Sequence, residues 1–190
     1  MTEQELIYRL KEGDGIAFRH LVETRQSLVF NTVLGFLQST EDAEDVTQDV
    51  FIKIFESIQQ FKAESALSTW IYRVAVTTAL EYIRRKKRKK RFGFLSPILG
   101  DDNEPTLELP DFHHPGIQLD NKEKAAILFK AIKELPENQQ IAFVLNKVEG
   151  LSYQEVADIM KTSLSAVESL LHRAKTNLRE FLKKTNNLNE

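Results

Sequence analysis

Apolar residues recur at spacings of three and four through most of the chain, without a convincing period-two alternation, so the pattern predicts an all-α fold. Thr2-x-x-Glu5 is a capping box that opens a short helix, and Gly13 ends it. From about Ile16, the residues Phe18, Leu21, Val22, Leu28, Val29, Val33, Phe36 and Leu37 form one stripe to bury. Ser39 or Thr40 caps the next helix, whose first turn carries Glu41, Asp42, Glu44 and Asp45 at the positive end of the dipole. Its inward positions are Val46, Val50, Ile54, Phe55 and Ile58. A loop from Phe61 to Leu67 leads to a helix capped by Ser68, with Trp70, Ile71, Val74, Ala75, Thr78, Ala79 and Ile83 inward.

The helical pattern then stops. Phe92 to Leu119 holds Pro97, Pro105, Pro110 and Pro115, five acids and no Lys or Arg, which reads as an extended linker. Beyond Asp120 a second helical lobe begins, with Ile127, Leu128, Ala131, Ile132 and Leu135 on one stripe. Pro136 suits the first position of the following helix, which buries Ile141, Val144, Leu145 and Val148 and closes at Gly150. Ser152-x-x-Glu155 and Ser165-x-x-Glu168 are two more capping boxes, separated by a tight turn at Lys161-Thr162-Ser163. This pair fits a helix-turn-helix: Val156, Ala157 and Met160 face Val167, Leu170 or Leu171, and Ala174. The second helix would then present Ser163, Ser165, Ala166, Glu168, Ser169 and His172 to a major groove, with Arg173, Lys175 and Arg179 toward phosphates. The divisions expected are 1–91, a linker at 92–119, 120–184, and a polar tail at 185–190, too short for a sensing domain.

Charge changes this picture more than composition does. The 190 residues are 42% hydrophobic, enough to bury a core, and the formal net charge is only −2. Yet residues 84–91 are eight consecutive cations. Taking them from the 26 Lys and Arg leaves 18 against 28 Asp and Glu, a net of −10 for the rest. Such segregation suits one face for a polyanion and others for a basic partner. Trp70, Tyr72 and Tyr82, with Phe61, surround the helix that ends in this run, so aromatic rings could stack unpaired bases while cations hold the backbone. For Trp70 the larger role expected is core packing.

Other chemistry finds little support. There is no cysteine, hence no disulfide, thiolate metal site or thiol nucleophile. The seven glycines are scattered and form no phosphate-cradling loop. Asp111-Phe112-His113-His114 lacks spaced carboxylate partners for a metal. No catalytic residue, metal or cofactor is expected, nor direct membrane insertion, since no apolar run approaches the roughly 20 residues a spanning helix needs. The acidic, polar first residues do not form a signal peptide, which points to a cytoplasmic protein. A helix-turn-helix regulator whose first lobe binds a ligand or a partner helix explains 151–180 but leaves both the acidic helix and the cationic run unexplained.

Three motifs in order carry a resemblance. Asp42-Ala43-Glu44-Asp45-Val46-Thr47-Gln48-Asp49-Val50-Phe51 resembles the region 2 signature of extracytoplasmic-function sigma factors, group 4 of the sigma-70 family. Ser68-Thr69-Trp70-Ile71-Tyr72-Arg73-Val74-Ala75, running on to Arg84-Arg85, is similar to that family's promoter-melting helix. Leu135-Pro136-Glu137, Gly150-Leu151-Ser152-Tyr153-Gln154-Glu155-Val156-Ala157 and His172-Arg173-Ala174-Lys175 resemble its region 4. The resemblance implies an alternative sigma factor with bacterial core RNA polymerase, promoter DNA and an anti-sigma factor as partners. It implies that Asp45, Gln48 and Asp49 dock on the β′ clamp and that the apolar flank of region 4 meets the β flap. The −10 element would be read by Lys62, Glu64, Ser65, Trp70, Tyr72, Arg73, Thr77, Arg84 and Arg85, with a flipped base in the loop. The −35 element would meet Ser163, Ser165, Ala166, Glu168, Ser169, His172, Arg173 and Lys175. The chain departs from the family where a loop of the form Phe-x-Gly-x-Ser-Ser-Phe is usual and it has Phe61-Lys62-Ala63-Glu64-Ser65-Ala66-Leu67. It also has Thr77 and Glu81 for the usual Asn and Asp, Ser169-Leu170 for Ser-Arg, and Lys161 at a turn position where Gly is common.

Overall fold

The computed structural model describes residues 1–93 and 122–186, with side chains described over 1–89 and 125–184. The expected linker and polar tail lie outside the described residues, apart from the linker's first two residues and the tail's backbone at 185–186. No strand occurs among the described residues. Lobe one comprises α1 (Glu3–Lys11), α2 (Gly15–Leu37), α3 (Thr40–Ser57), a 3-10 turn (Ile58–Gln60) and α4 (Leu67–Gly93). Lobe two comprises α5 (Lys122–Lys133), α6 (Glu137–Phe143) with a π-helical continuation (Val144–Val148), α7 (Tyr153–Met160) and α8 (Leu164–Asn186).

Local chemistry accounts for most of the boundaries. The Thr2 hydroxyl accepts from the Glu5 amide, and Gly13 takes the positive φ of 77° that ends the first turn-rich segment. Ser39, not Thr40, caps α3 through the Asp42 amide. The Ser152–Glu155 box closes in both directions. Two expected caps are corrected. Ser163 caps α8 by accepting from the Ala166 amide, so Ser165 sits inside the helix and its box does not form. Ser68 lies inside α4, whose first amide, Leu67 N–H, donates to the Glu3 carboxylate 64 residues away. Pro136 stands one position earlier than expected, as the N-cap of α6.

Two apolar cores follow. Leu21, Val29, Val33, Val46, Val50, Ile54, Leu67 and Ile71 fill the first with little or no exposure. Phe55, expected in it, is instead 51% exposed and meets Phe18 edge-on at 5.1 Å. The second core is built on Ile132, Val144, Leu145, Val156, Val167, Leu171 and Ala174, and it does not stop at the lobe boundary. Phe36 of α2 and Val76, Ala79 and Leu80 of α4 belong to it. The two lobes therefore share apolar packing, and burial of these side chains at roughly 25 cal/mol per Å² favours the closed arrangement.

Candidate nucleic-acid interface

On α3 the predicted docking residues Asp45, Gln48 and Asp49 are all exposed. Their spacing of three and four puts them on one face, beside exposed Glu44. Ile52 and Phe55 continue that face one and two turns on, at 54% and 51% exposure. Sequence reasoning missed Ile52 and assigned Phe55 inward, although both stand in register with the acids. Asp42 turns away from the stripe to α4: Tyr82 Oη donates to it at 2.6 Å and Lys86 Nζ at 2.6 Å. Burial alone would raise the Asp42 carboxyl, but these two donors outweigh it and hold the group below the usual carboxylate range. Lys86 is correspondingly raised by Asp42, and Arg85 and Lys86 both approach the Tyr82 ring.

The residues predicted to read the −10 element divide into two sets. Lys62 and Glu64 stand exposed on the loop and Ser65 is half-buried there. The loop is anchored by buried Phe61 and Leu67, and Phe61 packs at 5.2 Å on the half-buried Trp70 ring. Ala63 lies between them at φ 55°, in the left-handed region, at the position where the resembled family carries glycine. Trp70 packs on the lobe-one core and also lines a cleft of about 560 Å³ with Arg73, Thr77, Lys53, Glu81 and Lys161. Thr77 is exposed into it.

Lobe two contacts three of the remaining residues, Tyr72, Arg73 and Arg84. The Arg73 guanidinium donates from Nε to Ile159 O at 3.2 Å and from a second nitrogen to Asp158 O, both at the end of α7. Tyr72 packs against the second core, where burial first and then Glu149 and Glu155 push its phenol up to about 12. Arg84 pairs with Glu137 at 2.5 Å, while Arg85 stays exposed over Tyr82. Two further contacts bind the lobes: Gln38 Nε2 donates to Phe129 O at 2.7 Å, and Thr32 Oγ1 to Glu149 Oε2 at 3.3 Å.

The helix-turn-helix has its expected shape. Lys161 takes the left-handed φ of 52° at the turn, and Val156, Ala157, Ile159, Val167, Leu171 and Ala174 close the hairpin. Ser163, Ser165, Glu168, Ser169, His172, Arg173 and Lys175 are exposed, and Ala166 is half-buried beneath them. This face can offer hydroxyl, imidazole and guanidinium groups to a groove without moving the core. Among the described residues no cluster of three His, Asp or Glu could hold a metal ion. Among them too, no helix is long and apolar enough to cross a membrane.

Comparison with known proteins follows the same division. Residues 21–89 match the family described as Sigma-70 region 2, and residues 125–178 match Sigma-70, region 4. The chain is 36% identical over 178 residues to the ECF RNA polymerase sigma-E factor of Haemophilus influenzae, covering 92% of each chain. It is 34% identical over 175 residues to the protein of that name in Escherichia coli K12, covering 92% of this chain and 91% of the relative. Two solved structures share the fold. CnrH, in complex with the cytosolic domain of CnrY, has a TM-score of 0.65 at 20% identity, covering 96% of this chain and 97% of its own. The sigma factor RpoE of Bartonella quintana, in complex with the anti-sigma factor NepR, has a TM-score of 0.61 at 21% identity, covering 87% of this chain and 96% of its own.

Proposed function

The chain belongs to the extracytoplasmic-function sigma factors of the sigma-70 family, and from that premise we propose how its parts divide the work of promoter recognition. It is an alternative sigma factor, which binds core RNA polymerase and directs promoter-specific transcription initiation. Residues 1–91 form the polymerase-docking and −10 unit, 120–184 the −35 unit, with 92–119 as the tether and 185–190 as a tail. The stripe of Asp45, Gln48 and Asp49 docks on the basic clamp surface of β′, with Ile52 and Phe55 extending the contact. The −35 duplex meets the open face of α8 at Ser163, Ser165, Ala166, Glu168, Ser169, His172, Arg173 and Lys175, while the apolar flank of region 4 meets the β flap. The −10 strand meets Lys62, Glu64 and Ser65 in the loop, then Trp70, Tyr72, Arg73, Thr77, Arg84 and Arg85 along α4. The catalytic chemistry is the polymerase's, so the chain works in the cytoplasm beside it, without a cofactor of its own.

The observation that carries this division is that lobe two occupies the Arg73 guanidinium through α7 carbonyls while the acidic stripe and the α8 face remain open. A free chain in this state offers its docking surface but withholds part of its −10 set. Docking separates the lobes, and an anti-sigma factor acts by keeping them together. Because both lobes then sit on one polymerase, the second DNA contact is effectively intramolecular and modest contacts suffice.

A run-off assay tests the reading. The purified chain is added to bacterial core polymerase with fragmented genomic DNA from its own source, and transcript starts are mapped. Discrete new starts sharing an upstream motif are expected. Their absence, together with tight duplex binding by the chain alone, would move the assignment to a regulator that works without polymerase docking.

A further inference from the structure

The loop at 61–67 is held at both ends by α1, which lies before the residues that match region 2. At its entry, Lys11 Nζ donates to Phe61 O at 2.7 Å, and the Gln59 side-chain amide donates back to Lys11 O. At its exit, Leu67 N–H donates to Glu3 Oε1 at 3.3 Å, which also sets a carboxylate at the positive end of the α4 dipole. Glu3 and Lys11 stand eight residues apart on one helix, a reach of about 12 Å at the helical rise. Between these two holds, Leu6 and Leu10 of α1 belong to the same core as Phe61 and Leu67.

The loop needs such support. Ala63 is left-handed, a conformation in which its Cβ crowds the backbone and from which a short loop relaxes unless its ends are fixed. The usual glycine of the family loop would reach it unaided. Lys62, Glu64 and Ser65 flank that residue, so relaxation at Ala63 would turn all three.

We propose that α1 is a positioning element for the −10 loop. Glu3 and Lys11 fix the loop's two ends so that the strained Ala63 presents Lys62, Glu64 and Ser65 to an unpaired base. Glu3 and Lys11 are positioning residues and touch no DNA themselves. The inference rests on reading this loop as the pocket for the −10 strand.

The test uses the full chain bound to core polymerase. Fluorescent single-stranded oligonucleotides cover the −10 region of a promoter mapped by the run-off assay, one matched and a set with each base replaced in turn. Wild type is compared with Glu3→Ala and Lys11→Met, each alone and with Ala63→Gly added. Loss of one part-exposed hydrogen bond, at the ordinary net value of such a bond, predicts a roughly 3- to 10-fold fall in discrimination between matched and replaced bases for each single variant. Affinity for core polymerase stays within about twofold, since α3 is untouched. Adding Ala63→Gly restores most of the discrimination, because glycine adopts the left-handed turn without the brace. The proposal is overturned if both single variants discriminate as wild type does. It is equally overturned if core binding falls in parallel, or if Ala63→Gly restores nothing. If the wild-type holoenzyme itself fails to discriminate at any base, the loop's assignment as a base pocket fails, and the brace falls with it.

Discussion

Among the described residues, three non-glycine positions take the left-handed backbone: Gln38, Ala63 and Lys161. Lys161 and Ala63 both sit at positive φ, where a side chain costs about 1 kcal/mol relative to glycine. Lys161→Gly in the helix-turn-helix is therefore expected to stabilise the protein, by less than about 1 kcal/mol after glycine's added unfolded-state entropy, read as a higher melting temperature. Acid sensitivity is also a residue property. Asp14, Asp42 and Glu155 all lie below their ordinary values: Asp14 through Arg9, Asp42 through Lys86 and Tyr82 against its burial, and Glu155 through Ser152. A depressed carboxylate contributes stability that is present above its unfolded value, about 3.8 for Asp42, and lost as pH falls through the lower folded one. Asp42→Asn is therefore expected to lower stability near neutrality and to flatten its fall below about pH 4, followed by denaturant midpoints across pH. Tyr72 acts at the other extreme. Its raised phenol supports the neutral form, so its contribution is full below pH 10 and disappears as pH rises through about 12.

At the scale of elements, the helices divide into those closed by their own sequence and those closed by a distant segment. The α7 box is local, and Ser152→Ala is expected to cost about 1 kcal/mol, seen in the unfolding midpoint. The start of α4 is not local, because Glu3 supplies its acceptor. The α3 stripe was legible in part. The polar residues beyond the first turn, Gln48 and Asp49, exceed what dipole compensation needs, and that excess supports the proposed docking surface. Ile52 could have been read from its spacing of three and four from Asp49 and Gln48, whereas Phe55, four residues from buried Phe51, reads as core until its neighbours are placed. Reversing charge at this stripe (Asp45→Lys with Asp49→Lys) is expected to weaken core polymerase binding at least tenfold while helicity by circular dichroism stays constant. Unchanged binding would remove the docking assignment.

For the whole molecule the deciding feature is the core shared between lobes. Val76 and Leu80 of α4 and Phe36 of α2 are buried with lobe-two residues, so the tether is not the sole connection between lobes. An aspartate at Val76 would place an unpaired charge in that packing, at a cost of several kcal/mol to the closed state. Val76→Asp is expected to open the chain, raising the radius of gyration by small-angle scattering with helicity retained. It should also raise the free chain's affinity for single-stranded −10 oligonucleotides, because Arg73 leaves the α7 carbonyls. An opened chain with no gain in affinity would separate lobe packing from masking.

What the sequence by itself determined is what short-range chemistry determines. Helical periodicity, the Thr2 cap and the Ser152 box, the positive-φ glycines and the segregated charge all depend on residues within a few positions of one another. The helix-turn-helix and its exposed face were readable for the same reason: the hairpin buries its own apolar side and leaves the rest to solvent. Tertiary structure decided which of the polar residues stay free. Arg73 meets Asp158 and Ile159 more than 80 positions away, and Glu3 meets Leu67 across 64. No spacing rule connects such pairs, because their contact depends on how whole helices stack. The same stacking exposed Phe55, replaced Ser68 as a cap and drew one apolar core across both lobes, since burial is a property of the assembled surface and not of any one helix.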